Sequence, residues 1–62
     1  MENRIKELRQ ERNMTQEELA VALCVTRQTI IAVENDKYDP TLKLALKIAK
    51  LFEAPVESIF RI

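Results

Sequence analysis

Two helix-start signals lie close together in this chain, and they constrain the fold more than any other feature. Thr15 is followed by Gln16, Glu17 and Glu18, a Thr-x-x-Glu capping box in which hydroxyl and carboxylate satisfy two free amides at a helix start. Thr26 supplies a second cap just ahead of Arg27. The first signal opens a helix from Gln16 to about Leu23, with Leu19, Ala20 and Leu23 on its inner face and Glu17, Glu18 and Val21 off that line. The second opens a helix from Arg27 to about Asn35, with Ile30 and Val33 facing inward. Only Cys24 and Val25 separate the first helix from the second cap, so the two helices must meet at a steep angle.

Three further helices complete the expected set. Arg4 to Arg12 carries Ile5 and Leu8 on one face, with Arg9 and Arg12 continuing that stripe. Asn35 to Pro40 reads as a polar loop, after which Thr41 or Asp39 caps a helix from Leu42 to Phe52. Pro55 suits a first helical position and begins a short turn of helix through Ile59 or Phe60. The end at Arg61-Ile62 is available to pair as a short strand, either with the N-terminus or with another chain. An all-α, five-helix domain over residues 1–62 is therefore expected. The composition agrees, with 47% apolar residues, 32% charged residues and no glycine. A chain of this length buries only about 60% of the surface that its unfolded form exposes, so its own core is marginal and a partner chain would add to it.

Several function classes are disfavoured by what the chain lacks. With no histidine and one thiol, Cys24, the usual zinc sets and the Ser-His and Cys-His nucleophile pairs cannot be assembled. No enzyme activity, metal, cofactor or small-molecule ligand is expected. A single cysteine also suits a reducing compartment, no apolar run reaches bilayer-spanning length, and no signal-peptide stretch follows the charged start. A cytoplasmic protein without a membrane partner is expected.

Thr15 through Phe52 resembles the helix-turn-helix of the Cro/C1 repressor family, also called the Xre family. The matching segments are Thr15-Gln16-Glu17-Glu18-Leu19-Ala20, Val25-Thr26-Arg27-Gln28-Thr29-Ile30, Glu34-Asn35-Asp36-Lys37-Tyr38, and Pro40-Thr41-Leu42 with Ile48-Ala49. The resemblance implies a lambda-repressor-like, single-domain DNA-binding protein with its helix-turn-helix at residues 16–35. Ala20 is small where the two helices cross, and Ile30 and Val33 fill the other side. Cys24 stands where the family usually has glycine, so it either sits in mild strain or the turn is remodelled; its side chain reads as a small, partly buried filler. Asp36 likewise replaces a common glycine, and aspartate tolerates the left-handed region better than most residues.

With Ile30 and Val33 set inward, the opposite face of the second helix presents Gln28, Ile31, Ala32 and Asn35, with Arg27 on its flank. Gln28 can bond an adenine edge twice, and Arg27 can do the same for guanine or clamp a phosphate. Ile31 faces outward and can meet a thymine methyl or cover a neighbouring side chain. Arg27, Gln28, Ile31 and Ala32 are thus the expected base-reading set. The resemblance adds backbone contacts from Gln16, Asn35 and Lys37, and a phosphate or base contact from Thr26 or Thr29. It also implies a structural ion pair between Arg9 and Glu34, which explains a charged residue on the apolar stripe of the first helix.

The chain is formally neutral, and residues 26–40 hold Arg27 and Lys37 against Glu34, Asp36 and Asp39. Nonspecific affinity for DNA should therefore be modest, with a shallow salt dependence. In the fourth helix Lys43, Lys47 and Lys50 make one polar stripe, and apolar side chains cover nearly everything else. So wide an apolar surface exceeds what a small monomer can cover. Residues 42–62 are the expected dimerisation region, with Leu46, Val56, Ile59, Phe60 and Ile62 at the interface. The expected function is sequence-specific binding of double-stranded DNA by a homodimer that represses transcription at an inverted repeat. The alternative is an antitoxin-like protein-interaction module with DNA binding secondary.

Overall fold

The computed structural model describes residues 2–61. The order of elements is β1 (Glu2–Asn3), α1 (Ile5–Glu11), α2 (Gln16–Leu23), α3 (Arg27–Glu34), α4 (Leu42–Phe52), α5 (Val56–Ile59) and β2 (Phe60–Arg61). Three helices begin where a threonine accepts a free amide. Thr15 accepts from the Glu18 N–H at 3.0 Å while Glu18 accepts from the Thr15 N–H at 2.8 Å, Thr26 accepts from Thr29 at 3.2 Å, and Thr41 accepts from Leu44 at 3.2 Å. Of the two candidate caps for α4, Thr41 takes the role. Pro55 sits one position earlier than expected, as the extended residue before α5. The first helix is shorter by a residue at each end than the span Arg4 to Arg12.

The helix ends share one solution. After α1, α2, α3 and α4 a residue turns left-handed, at Asn13, Cys24, Asp36 and Glu53. The following amide then reaches back across the last turn: Met14 to Arg9, Val25 to Ala20, Lys37 to Ala32 and Ala54 to Ala49, at 2.9–3.1 Å. This paired closure satisfies carbonyls that a helix end leaves open, and it normally recruits glycine. The chain has no glycine, so each turn carries a Cβ at a cost of about 1 kcal/mol, less for Asn13 and Asp36 whose side chains tolerate the region. The turn after α2 is therefore not remodelled. Cys24 adopts φ 60° and ψ 42°, and its side chain is exposed instead of partly buried, because it lies beyond the last helical residue and off the packed face.

The core lies where α2, α3 and α4 converge, under α1 and α5. Ile5, Leu19, Ile30, Val33, Ile48 and Ile59 are fully buried there. Ala20 is also buried, at the crossing of α2 and α3, and its small side chain allows the close approach of the two helices. β1 and β2 form an antiparallel ribbon, Glu2 opposite Arg61 and Asn3 opposite Phe60, so of the two partners open to the C-terminal end the structure uses its own N-terminus. The helical expectation is thus correct, with this ribbon added. Ile62 lies outside the described residues.

The ribbon draws α5 inward and corrects part of the expected dimer surface. Ile59 and Phe60 are only 1% and 6% exposed, because they pack into the chain's own core. Leu42 and Leu46 on α4 remain 73% and 53% exposed, and Val56 is half-buried. An open apolar groove of about 650 Å³ runs beside them, lined by Pro40, Leu42, Ala45, Val56 and the outer edge of Phe60, with Glu57 and Arg61 at its rim.

Candidate nucleic-acid interface

The outer side of α3 presents Arg27 and Gln28 in solvent, with Ile31 and Ala32 half-buried beside them. Ile30 and Val33 point the other way, into the core. The alternation follows from helical spacing, since residues three apart share a face. Thr26 and Thr29 close the N-terminal end, their hydroxyls 3.0 Å apart.

A buried polar junction holds this face in place. Arg9 of α1 donates from Nε to Glu34 Oε2 at 2.8 Å and from Nη2 to Oε1 at 3.3 Å. Its Nη1 donates to the Met14 carbonyl at 2.8 Å. The side chains are only 10% and 3% exposed, and Gln16 of α2 donates to Glu34 Oε1 at 3.2 Å. Among the described residues no buried side-chain polar atom lacks a partner. A carboxylate removed from water needs this full set of donors, and the result ties α1, α2 and α3 together at the last turn of α3.

The Gln16 bond could not be read from sequence, because a glutamine at a helix start looks like a solvated residue. Its amide has two donor hydrogens, so a second hydrogen stays available while Glu34 fixes the side chain's direction. Gln16 and Arg27 line one cleft of about 470 Å³ with Arg9, Thr15 and Glu17. The structure thereby brings an expected backbone contact beside an expected base reader.

Asn35 and Lys37 are exposed at the other end of α3. Asp36 turns left-handed between them, and the Lys37 amide closes on Ala32 at 2.9 Å. Asn3 of β1 also donates to the Val33 carbonyl at 2.8 Å and to Asp36 at 3.2 Å. Sequence reasoning gave Asn3 no role, and nothing in a two-residue strand signals one.

A helix-turn-helix family model matches residues 5–59, which include every element of this interface except Asn3. The chain belongs to the Cro/C1-type helix-turn-helix family. An uncharacterized HTH-type transcriptional regulator of Methanocaldococcus jannaschii is 58% identical over 97% of this chain and 91% of its own length. A second such regulator, of Archaeoglobus fulgidus, is 57% identical over 97% of this chain and 84% of its own length. The cryptic phage CTXphi transcriptional repressor RstR of Vibrio cholerae is 33% identical over 92% of this chain and 51% of its own length.

As a member of this family the chain is a DNA-binding transcriptional regulator. In helix-turn-helix order α2 is the first helix of the motif and α3 the second, the position that the recognition helix takes in such motifs. Among the described residues no group of acidic, cysteine or histidine side chains is placed to hold a metal, and no helix is long and apolar enough to cross a membrane.

Proposed function

We propose that this helix-turn-helix chain is a cytoplasmic repressor that binds an inverted repeat as a homodimer, placing α3 of each subunit in successive major grooves. The observation that carries the reading is the exposed face of α3, held rigid from behind by the Arg9–Glu34–Gln16 junction. Arg27 and Gln28 supply hydrogen-bonding groups for base edges, and Ile31 and Ala32 supply apolar contact for thymine methyls. Gln16, Thr26, Thr29, Asn35 and Lys37 surround that face as backbone anchors, which set register and carry no sequence information.

The exposed Leu42 and Leu46, with Val56 and the groove beside them, supply the two-fold contact. An interface between copies at this end sets the recognition helices about 34 Å apart, one turn of DNA. Repression by occupying the promoter follows from DNA binding itself, and a 33% identical relative is named a transcriptional repressor.

Selection from random-sequence duplexes at moderate salt tests the reading. A two-fold-symmetric site with half-sites one helical turn apart is the expected product. Enrichment of no symmetric site would overturn the homodimeric repressor and favour a protein-interaction module.

A further inference from the structure

Asn3 makes more bonds than a two-residue strand requires. Its amide nitrogen donates to the Val33 carbonyl at 2.8 Å and to Asp36 Oδ1 at 3.2 Å, while its Oδ1 accepts from the Ile5 N–H at 3.1 Å. Both amide hydrogens and the oxygen are therefore committed. Turned over, the group would set its oxygen against two acceptors, so one orientation alone fits. The backbone behind it is held as well: Asn3 lies opposite Phe60 in the ribbon, and the Arg4 N–H donates to the Ile59 carbonyl at 2.8 Å.

We propose that Asn3 is a positioning residue for sequence recognition, one that touches no DNA and fixes the angle at which α3 presents Gln28, Ile31 and Ala32 to base edges. The proposal rests on the reading of α3 as the base-reading helix and deepens it. Asn3 and the Arg9–Gln16 junction grip successive residues of the last turn, Val33 and Glu34. These residues stand about 100° apart around a helix. One attachment at Glu34 leaves the helix free to pivot about it, and a second at a different angle removes that freedom. The two also differ in kind. Glu34 is held through a flexible side chain, whereas Asn3 takes hold of the backbone itself.

Rescue of a stranded acceptor does not account for the Val33 bond, because that carbonyl already accepts the Asp36 N–H at 3.1 Å. Loss of Asn3 leaves no orphaned group on α3, so its effect there falls on geometry more than on stability. Contacts to base edges need placement within about 0.5 Å. Contacts to phosphates carry no such sequence requirement.

The test is a ratio of dissociation constants at one salt concentration, that of a mixed-sequence duplex over that of the site the wild type selects from random duplexes. Asn3→Ala should lower the ratio about tenfold, within what one bidentate base contact confers. The selected site weakens, while the mixed duplex stays within about twofold. A purely structural role would instead lower the folded fraction, which weakens both duplexes equally and leaves the ratio unchanged. Asn3→Asp keeps an oxygen for Ile5 and turns the other on the Val33 and Asp36 acceptors, so the ratio should fall at least as far. A ratio that either variant keeps, while the wild type discriminates, overturns this proposal alone. A wild type that prefers no sequence overturns the base-reading assignment of α3, and this proposal with it.

Discussion

α3 and α4 both pack against α2 and are held in opposite ways. α3 is short, buries only Ile30 and Val33, and is fixed from outside by side chains of three other elements: Arg9, Gln16 and Asn3. α4 is longer and buries Leu44, Ala45, Ile48 and Phe52, so apolar area is its main hold, beside the Thr41 cap and the Arg12 guanidinium over the Phe52 ring. The difference follows from what each helix must leave exposed. On the proposed reading α3 cannot bury the face that meets DNA, and directional hydrogen bonds replace the missing area while fixing its angle. α4 has apolar area to spare, and the excess stays exposed at Leu42 and Leu46, the contact proposed for a second copy.

Removing the polar hook should do the most damage. Glu34→Ala leaves the Arg9 guanidinium buried without its carboxylate and should cost about 3–5 kcal/mol, read by denaturant unfolding followed by circular dichroism. Arg9→Met combined with Glu34→Leu should recover much of that loss, because two apolar groups leave no orphaned charge. A loss below about 1 kcal/mol for Glu34→Ala would mean that α3 is held by packing, as α4 is, and the contrast would fail.

Next in size is the surplus of α4. Leu46→Lys places a charge in the proposed contact and should shift sedimentation at micromolar protein to a 7.2 kDa species. Unfolding of the isolated chain should change by no more than about 0.5 kcal/mol, since the side chain is exposed. A wild type that already sediments as a monomer without DNA would remove the partner assigned to this face.

The smallest effect concerns the four left-handed turns, which treat both helices alike. Cys24→Gly and Glu53→Gly should each stabilise by about 1 kcal/mol, and Asn13→Gly by less, measured as shifts in Tm. Destabilisation by Cys24→Gly would show that its side chain contributes contacts worth more than the backbone strain.

How much was legible follows the same division. Caps and apolar periods are local, so Thr15, Thr26 and Thr41 mark their helices and α2 and α4 begin and end where expected. Arg9 was legible as an oddity, a charge on an apolar stripe, and the family resemblance supplied Glu34. Gln16 and Asn3 gave no sign of their bonds, because such contacts depend on where distant elements dock. Ile59 and Phe60 were assigned to a partner and belong to the core. Periodicity shows that a face is apolar; whether the same chain or another covers it depended here on the ribbon, which folds the C-terminal end back against Glu2 and Asn3. The left-handed turns at Asn13 and Glu53 were likewise hidden, since neither residue type demands a positive φ.

The proposed division of labour makes α3 the reading element and its surroundings the anchors. Parallel selections from random duplexes with the wild type, Gln28→Ala and Lys37→Ala test this most directly. Gln28→Ala should lose discrimination at one position per half-site, worth about 1–3 kcal/mol, while Lys37→Ala should keep the same motif and bind all sequences more weakly. An altered motif from Lys37→Ala, with an intact one from Gln28→Ala, would contradict the assignment.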